Sequence, residues 1–375
     1  MGLTNIRLGD YIERSTINNK ELKYGVDLIV GVNSQGVFTA PKGNTDGVDL
    51  KPYKIVENGA FVYNPTRLEL GSIAYRTEGL CIVSHLYMVF YLTDEGKKII
   101  DPMWLYIYFR RSEFCREVKF RNFGSQRPEF NFNDMSDIVI PLPDIEIQKK
   151  YVDIYNAMLE NQKSYEYRLE DLKLACDAYI EDLKHGIHCK AIGPYVERHD
   201  VRNRTNEIKN VMGVSTSKEF REPTSKVNRN ELSNYKIVRP RQISFVQTTH
   251  NEKVFAYAFN NTEDDIVVTS VNEVFSVDED KLLPEYLCMF FNRTEFDRYA
   301  RFHSWGSARE TFTWDDLVKV EIPIADMKTQ KSIADIYKAY KERKAINEKL
   351  KAQIKDICPI LIKGSIEEAR KAKEA

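Results

Sequence analysis

Tyr53-Lys54-Ile55-Val56 recurs as Tyr235-Lys236-Ile237-Val238, 182 positions further along the chain (235 minus 53). The same shift places Arg111-Ser112-Glu113-Phe114 on Arg293-Thr294-Glu295-Phe296. It also places Gly124-Ser125-Gln126-Arg127 on Gly306-Ser307-Ala308-Arg309. Similarity at one fixed shift is the sequence signature of a duplicated structural unit. The sequence therefore predicts two copies of one fold, each about half of the 375 residues.

Each repeat begins with short runs of β-branched and aromatic residues that are separated by Gly, Asn, Asp and Pro. Such runs predict β-strands, and they lie at residues 26–32, 59–63, 82–91, 243–247 and 266–271. Short helices are predicted at 103–117 and 285–299. These patterns indicate an α+β fold in which each repeat forms a globular domain with mixed or antiparallel sheets.

The second part of each repeat follows a proline, Pro143 or Pro323, and reads as one long helix. An apolar heptad seam runs along the first helix at Tyr165, Leu169, Leu172, Cys176, Tyr179 and Leu183. The corresponding face of the second helix carries Ile346, Leu350, Ile354, Ile357 and Leu361. We expect Pro359 to bend or end that second helix, because proline lacks the backbone N–H.

A continuous helix over residues 145–186 would be about 60 Å long and would need a partner for its apolar stripe. The equivalent helix of the other repeat is the obvious partner, in an antiparallel coiled coil with a pseudo-two-fold axis. We therefore predict globular domains at 1–143 and 187–325, with spacer helices at 144–186 and 326–375. The two globular domains would then lie at opposite ends of a dumbbell.

The overall composition is that of a soluble globular protein, with 55 basic residues against 56 acidic ones and a mean hydropathy of −0.47. No segment approaches the roughly 18 apolar residues of a membrane span, and the N-terminus lacks the apolar core of a signal peptide. We therefore expect a cytoplasmic protein with no membrane partner. Net charge gives no support for DNA binding, which would require local basic patches.

The six cysteines form no Cys-x-x-Cys pair, so we expect reduced and mostly packed thiols. His185, His188 and Cys189 lie close together, but a closed zinc site needs a fourth ligand. We predict no metal site in this chain.

A pair of similar domains related by a two-fold axis matches the symmetry of duplex DNA that is read at two half-sites. Such half-sites are separated by one or more helical turns of DNA, each about 34 Å long. Basic residues recur at equivalent positions of the two repeats, with further arginines in the second. The candidate DNA-binding residues are Arg111, Arg116, Lys119, Arg121, Ser125, Arg127, Arg221, Arg239, Arg241, Arg293, Arg298, Arg301, Ser307 and Arg309. Arginine and serine are typical phosphate-contacting residues.

The Gly-Ser-x-Arg sequences are the sharpest local signal, because exposed backbone amides and an arginine could hold a phosphate. We expect replacement of Arg127 or Arg309 by Ala to weaken binding without changing the preferred sequence. The aromatic residues that follow (Phe130 and Phe132, Phe312 and Trp314) are predicted to be core residues of a strand. Plausible contacts to base edges are Lys42, Asn44, Arg67, Arg221, Gln247 and Asn251.

No catalytic constellation is recognisable in the sequence. Asn64-Pro65-Thr66-Arg67 lacks the second proline and the aromatic residue of an adenine methyltransferase motif, and reads as a turn. Glu263-Asp264-Asp265 has no lysine at the offset that a Mg²⁺-dependent nuclease needs. A phosphate-binding Gly-x-x-x-x-Gly-Lys loop is also missing. We predict a chain that is non-catalytic alone.

Three features present in both repeats carry a resemblance to a known family. They are an opening like Ile6-Arg7-Leu8-Gly9-Asp10-Tyr11, the Gly-Ser-x-Arg turn, and an Ile140-Pro141-Leu142-Pro143 stretch followed by Gln148 at the start of a long helix. Over its whole length the chain resembles the specificity subunit of a Type I restriction-modification system, which acts in DNA methylation and phage defence.

The resemblance implies two target recognition domains that read the halves of a bipartite, asymmetric site in double-stranded DNA. It also implies helices that set the spacer and dock two adenine-N6 methyltransferase subunits, and further restriction or translocase subunits. S-adenosylmethionine, ATP and Mg²⁺ would then bind those partners, and this chain would hold no cofactor.

Two alternatives stay open. The chain could be a scaffold in which two β-rich modules on a helical rod bind other proteins and the arginines are incidental. It could also belong to a modification-only system without a nuclease subunit. A DNA reader should gather the basic residues of both repeats on one side, whereas a scaffold should scatter them.

Overall fold

The computed structural model describes residues 2–41, 43–122, 129–248, 254–305 and 310–374. The chain forms two compact units, one of Met1–Ser164 with Asn347–Ala375 and the other of Tyr165–Ile346. Within these described ranges no helix is long and apolar enough to cross a membrane. The domain boundaries proposed from the sequence at 143, 186 and 325 stay predictions.

The first repeat contains ten strands and four short helices in its described part. The strands are β1 (Thr4–Arg7), β2 (Ile12–Arg14), β3 (Gly31–Val32), β4 (Phe38–Thr39), β5 (Lys54–Val56), β6 (Phe61–Tyr63), β7 (Ile73–Tyr75), β8 (Cys81–Val83), β9 (Met88–Leu92) and β10 (Val139–Leu142). The helices are α1 (Asp94–Ile99), α2 (Pro102–Phe109), α3 (Ser112–Arg121) and α4 (Phe132–Ser136). Two longer helices follow, α5 (Ile145–Glu166) and α6 (Leu169–Gly186).

The second repeat follows the same order, without a described counterpart of α1. Its strands are β11 (Cys189–Ala191), β12 (Val196–His199), β13 (Gly213–Val214), β14 (Phe220–Arg221), β15 (Lys236–Val238), β16 (Ile243–Val246), β17 (Tyr257–Phe259), β18 (Ile266–Val268), β19 (Asn272–Val277) and β20 (Glu321–Pro323). Its helices are α7 (Pro284–Phe291), α8 (Thr294–Phe302), α9 (Trp314–Leu317) and α10 (Met327–Glu374).

The sheets have the same topology in both repeats. A four-stranded antiparallel sheet has the order β2-β9-β6-β7 in the first repeat and β12-β19-β16-β17 in the second. Two-stranded antiparallel pairs surround each sheet: β1-β10, β3-β4 and β5-β8, matched by β11-β20, β13-β14 and β15-β18. The predicted duplication and the α+β class with antiparallel sheets are confirmed.

Helix caps are repeated as well. Asn131 and Asp134 form a capping box at the start of α4, and Thr313 and Asp316 form one at the start of α9. In each box the side chain of the first residue accepts a hydrogen bond from a backbone N–H of the first turn. The carboxylate of the second residue accepts one from the backbone N–H of the first residue. These caps fix the start of the helix that leads into β10 or β20.

Each unit contains an antiparallel helix pair. In the first unit Lys150 on α5 contacts Glu368 on α10, whereas Gln162 further along α5 contacts Asn347. Apolar residues of α10 complete the core of that unit, namely Cys358, Leu361 and Ile362. In the second unit Cys176 and Ile180 of α6 share a core with Ile333 of α10, whereas Arg343 further along α10 donates to the carbonyl of Tyr165. The predicted antiparallel pairing of helices is confirmed within each unit.

The helical segment 145–186 is interrupted, contrary to the prediction of a continuous helix. The break lies at Tyr167 and Arg168, and Arg168 has a left-handed backbone with φ of 61°. Beyond the break, the buried face of the helix differs from the predicted seam. Tyr179 is 49% exposed, whereas Ile180, four residues after Cys176, is fully buried. Tyr179 is therefore not a seam residue.

Two expectations for α10 were also wrong in part. Ile346 is exposed, although the later seam residues Ile354, Ile357 and Leu361 pack on the first unit. Pro359 does not end the helix, which continues to Glu374. Cys358 before the proline and Leu361 two residues after it pack in the core of the first unit, and this packing offsets the backbone hydrogen bond that proline cannot form.

Several predicted elements are shorter than expected. The helices predicted at 103–117 and 285–299 are each two helices, and the strand at 82–91 is two strands. In the segment 26–32 only Gly31 and Val32 form a strand. Phe130 and Phe312 are fully buried, as predicted. The aromatic residues after them, however, begin the short helices α4 and α9 and not strands.

Candidate nucleic-acid interface

The two Gly-Ser-x-Arg turns lie outside the described residues, so Ser125, Arg127, Ser307 and Arg309 have no described position. The same holds for Lys42 and Asn251. The helices that precede these turns, α3 and α8, are described, and they carry most of the remaining candidates.

Helices α3 and α8 bury one face and expose the other. Phe114 and Val118 of α3, one turn apart, pack in the core of the first unit, and Phe296 and Ala300 do the same in the second. The opposite face of α3 carries Arg116, whose guanidinium lies 3.4 Å from Glu113. On α8 the equivalent Arg298 lies 3.1 Å from Glu295. Each repeat thus presents an exposed Glu–Arg pair at the same place.

One turn after these arginines, each helix exposes a phenylalanine. The side chain of Phe120 is 82% exposed and that of Phe302 is 81% exposed. Lys119 and Arg121 flank the first ring, and Arg301 precedes the second; all three cations are exposed. The basic residues were predicted from the sequence, whereas the exposed rings were not. Two features of the sequence could have revealed the rings. Phe120 and Phe302 recur at the shift of 182, and neither falls at the helical positions that face the core.

The arginine immediately before each helix is placed differently in the two repeats. Arg111 lies over the ring of Tyr108, with its guanidinium carbon 3.7 Å from the ring centre. The side chain of Arg293 is only 8% exposed, and its Nε lies 3.0 Å from Asp177 on α6. It also contacts Glu181, and the hydrogen bond from Arg293 lowers the pKa of that carboxyl. Because Arg293 is buried among carboxylates, it fits a structural ion pair better than the predicted phosphate contact.

Among the other predicted arginines, Arg241 is also paired with carboxylates. Its guanidinium contacts both Glu279 and Glu285, at 2.7 and 2.8 Å, and these hydrogen bonds raise its pKa. Arg121 pairs with Glu117 at 2.8 Å. Arg221 on β14 and Arg239 are exposed, with no ion pair in the part of the chain that the structure describes. Those two stay candidates for contact with an anion.

Gln247 was a plausible contact to a base edge, but its amide donates to Glu273. Glu273 is buried and also accepts two hydrogen bonds from Arg198, at 2.7 and 2.8 Å, and one from Lys236. Gln247 is therefore part of a partly buried polar network centred on Glu273. Asn44 accepts the backbone N–H of Asp46 in a turn, and Arg67 is exposed.

The chemistry of the cysteines agrees with a packing role. Burial raises the pKa of Cys176 and of Cys358 to about 11, so both thiols are protonated at neutral pH. A thiolate, and not a thiol, is the form that attacks substrates or binds metals. In the described ranges there is also no group of three or more His, Cys, Asp or Glu side chains that could hold a metal ion.

The fold and this surface define a class of protein: a duplicated α+β chain in which each repeat presents the same basic and aromatic helix face. A sequence model described as "Type I restriction modification DNA specificity domain" matches residues 4–170 and again residues 194–356. The chain therefore belongs to the family of Type I restriction-modification specificity subunits. No curated protein sequence matches the chain significantly.

Solved structures similar to this chain cover nearly its whole length. The S subunit of a Type I restriction-modification system from M. genitalium is 11% identical, with a TM-score of 0.64, over 97% of this chain and 96% of that chain. The HsdS subunit from Thermoanaerobacter tengcongensis is 16% identical, with a TM-score of 0.40, over 97% and 96% of the two chains. The first of these likenesses supports the fold described above.

Proposed function

We propose that this chain is the DNA-reading subunit of a Type I restriction-modification complex. Each repeat reads one half of a bipartite, asymmetric site in double-stranded DNA. The chain itself performs no chemistry, and it docks two adenine-N6 methyltransferase subunits, with restriction subunits where the system has them. The observation that carries the proposal is the double match of one specificity-domain family, once per repeat.

The equivalent surfaces of α3 and α8 support a shared polyanionic ligand. Each presents an exposed arginine, Arg116 or Arg298, at the same helical position and next to further cations. A protein that contacts phosphates in two half-sites needs such a duplicated set. Arg221 and Arg239 are candidates for additional phosphate contacts in the second repeat.

Differences between the repeats support an asymmetric site. The structure describes α1 only in the first repeat, and Arg111 and Arg293, which immediately precede α3 and α8, have different partners. Side chains that differ at equivalent positions present different donors and acceptors to base edges. The two half-sites should therefore differ in sequence.

We base the proposals on partner docking and cofactor binding on membership of the family. We assign docking of the methyltransferase subunits to outward faces of α5, α6 and α10. S-adenosylmethionine, ATP and Mg²⁺ are assigned to the partner subunits.

The test is methylation sequencing of DNA from cells that carry this chain with its methyltransferase, compared with cells in which this chain is deleted. We expect N6-methyladenine at one split motif, and its loss on deletion. Methylation that is unchanged by deletion would contradict the proposal. Purified complex that selects no sequence from random DNA would favour the scaffold alternative.

Binding measurements on the same motif test the helix surface. Replacement of Arg116 or Arg298 by Ala should weaken binding to all sequences and lower the slope of log affinity against log salt by about one. Lys98 and Lys281 provide matched controls, because each is an exposed cation paired with a carboxylate three residues earlier. Their replacement by Ala should leave the slope unchanged.

A further inference from the structure

The exposed rings of Phe120 and Phe302 belong to neither described core, although the Phe302 ring meets the neighbouring His303 ring edge to face, with ring centres 5.1 Å apart. Each lies on the solvent side of a helix whose core face is already filled, by Phe114 and Val118 in α3 and by Phe296 and Ala300 in α8. Keeping a large aromatic side chain in water forgoes the burial energy that such a ring normally contributes. That this occurs at equivalent positions of both repeats points to a ligand that both repeats share.

The surroundings of the rings define the chemistry of that ligand. Phe120 follows the exposed Arg116 by one helical turn and has Lys119 and Arg121 as chain neighbours. Phe302 follows the exposed Arg298 by one turn, after Arg301. The ligand must therefore offer negative charges within a few ångströms of an apolar, planar surface. Phosphates next to nucleobases meet both requirements.

An apolar protein partner fits this surface less well. Protein-binding sites are usually contiguous apolar patches with charges at the rim. On α3 the single exposed ring of Phe120 stands among cations. On α8 the ring of Phe302 has Arg301 and His303 as chain neighbours, and the exposed Trp305 follows three residues later. A cation next to a ring is the arrangement by which nucleic-acid-binding proteins contact phosphate and base together.

We propose that Phe120 and Phe302 contact nucleobases, one in each half-site, while Arg116 and Arg298 contact the adjacent phosphates. Each ring packs on a base or wedges between two base pairs. This assignment rests on the proposed DNA-reading function and adds the residues through which each repeat makes an apolar contact with DNA. A wedge that unstacks a base step also favours sequences that are easy to deform, so the rings contribute to sequence choice.

The experiment uses the complete complex with its methyltransferase subunits and a DNA duplex that carries the split motif. Phe120→Ala and Phe302→Ala should each weaken binding about tenfold, as loss of an aromatic–base contact does. The salt slope should stay that of the wild type, because no phosphate contact is lost. Phe120→Tyr and Phe302→Tyr keep the ring and should bind within about threefold of the wild type.

Half-site variants of the duplex assign each ring to its half. When the half-site read by the first repeat is scrambled, Phe120→Ala should have no further effect, whereas Phe302→Ala should still weaken binding. Leu86→Ala and Val271→Ala are matched controls, since each removes an exposed apolar side chain from one repeat. Both controls should bind the duplex like the wild type.

Three outcomes would overturn the inference. The Ala variants could bind the motif like the wild type, the Tyr variants could lose as much affinity as the Ala variants, or the Ala variants could lose only their association with methyltransferase in the absence of DNA. The last result would assign the rings to a protein partner. A wild-type complex that binds no split motif would instead contradict the proposed function itself. Unchanged melting temperatures exclude unfolding as the cause of any loss.

Discussion

A Cβ atom at Gly36 would lie 2.6 Å from Nη1 of Arg110. Gly36 has φ of +75°, and the buried Arg110 guanidinium fills the space beside it and donates to the carbonyl of Gly71. In the second repeat Lys218 stands at the position of Gly36, with φ of 63°. Asn292 stands at the position of Arg110. Each repeat therefore buries one cation here: in the first repeat it is Arg110, immediately after α2, and in the second it is Lys218, in the turn between β13 and β14.

Gly36→Ala should destabilise the first unit by about 2 kcal/mol, because the new methyl group meets both Arg110 and the backbone carbonyl oxygen of Ile73, and because the left-handed backbone disfavours a side chain. Gly47→Ala is the matched control: Gly47 has φ of +71°, but nothing lies within 4 Å of its Cβ position. Urea unfolding followed by the fluorescence of Trp104, the single tryptophan of the first unit, measures both. Equal losses in the two variants would show that the contacts with Arg110 and with the Ile73 carbonyl cost nothing.

The buried cation of the second repeat depends on one carboxylate. The side chain of Lys218 is 7% exposed, and its Nζ lies 2.8 Å from Asp297. Burial lowers the pKa of Lys218, and the hydrogen bond to Asp297 opposes this change. Asp297→Asn should destabilise the second unit by about 3 kcal/mol, since it leaves a buried ammonium without a countercharge.

The matched control for that pair is Asp278→Asn. Asp278 forms an exposed ion pair with Lys281 at 2.7 Å, and loss of such a pair costs under about 1 kcal/mol. Urea unfolding of the two variants gives the comparison. A loss for Asp297→Asn as small as that of the control would mean that solvent or another group neutralises Lys218.

Gln148 and Gln330 occupy equivalent positions and make the same three hydrogen bonds. The side-chain oxygen of Gln148 accepts the backbone N–H of Asp101, and its amide donates to the carbonyls of Ile99 and Pro143. Gln330 bonds to Leu283, Lys281 and Ala325 in the same way. Both amides are fully buried. They therefore fix the start of a long helix to the globular part of each repeat.

Gln148→Ala and Gln330→Ala should each cost about 3 kcal/mol of unfolding free energy, because three buried backbone groups lose their partners. Gln353→Ala removes an exposed glutamine from α10 and serves as the control. Urea unfolding is again the measurement. If the loss in Gln148→Ala stays within about half a kcal/mol of the control, water replaces the amide and the junction is not fixed by it.

Much of this architecture could be predicted from the sequence because it is repeated. The shift of 182 residues placed the strands, the helix pairs and the basic residues of α3 and α8 in equivalent positions. The break at Arg168 could not be predicted, since neither Gly nor Pro marks it and its positive φ is set by the surrounding fold. The burial of Arg293 depends on Asp177 and Glu181, more than a hundred residues earlier, so its local basic context was misleading.

The ion pair between Glu181 and Arg293 predicts how the stability of the second unit depends on pH. The hydrogen bond from Arg293 is the largest effect that lowers the pKa of Glu181 below its ordinary value of 4.5, and the hydrogen bond from Lys184 acts in the same direction. A carboxyl with a lowered folded-state pKa stabilises the protein above the unfolded-state pKa, and loses this contribution as the pH falls through the folded-state value. The stabilisation should therefore be complete at pH 6 to 7 and decline below about pH 4.5.

Glu181→Gln removes this contribution, so the difference in unfolding free energy between the wild type and the variant should be constant from about pH 7 to 5 and shrink towards about pH 3. Urea unfolding followed by the fluorescence of Trp314, which packs on the core of the second unit, measures the difference at each pH. In an Arg293→Met background the same substitution should have a much smaller effect at pH 7, because the main hydrogen-bond donor is gone. A difference that grows as the pH falls would reverse the sign of the linkage and would show that Glu181 is stabilised in its protonated form.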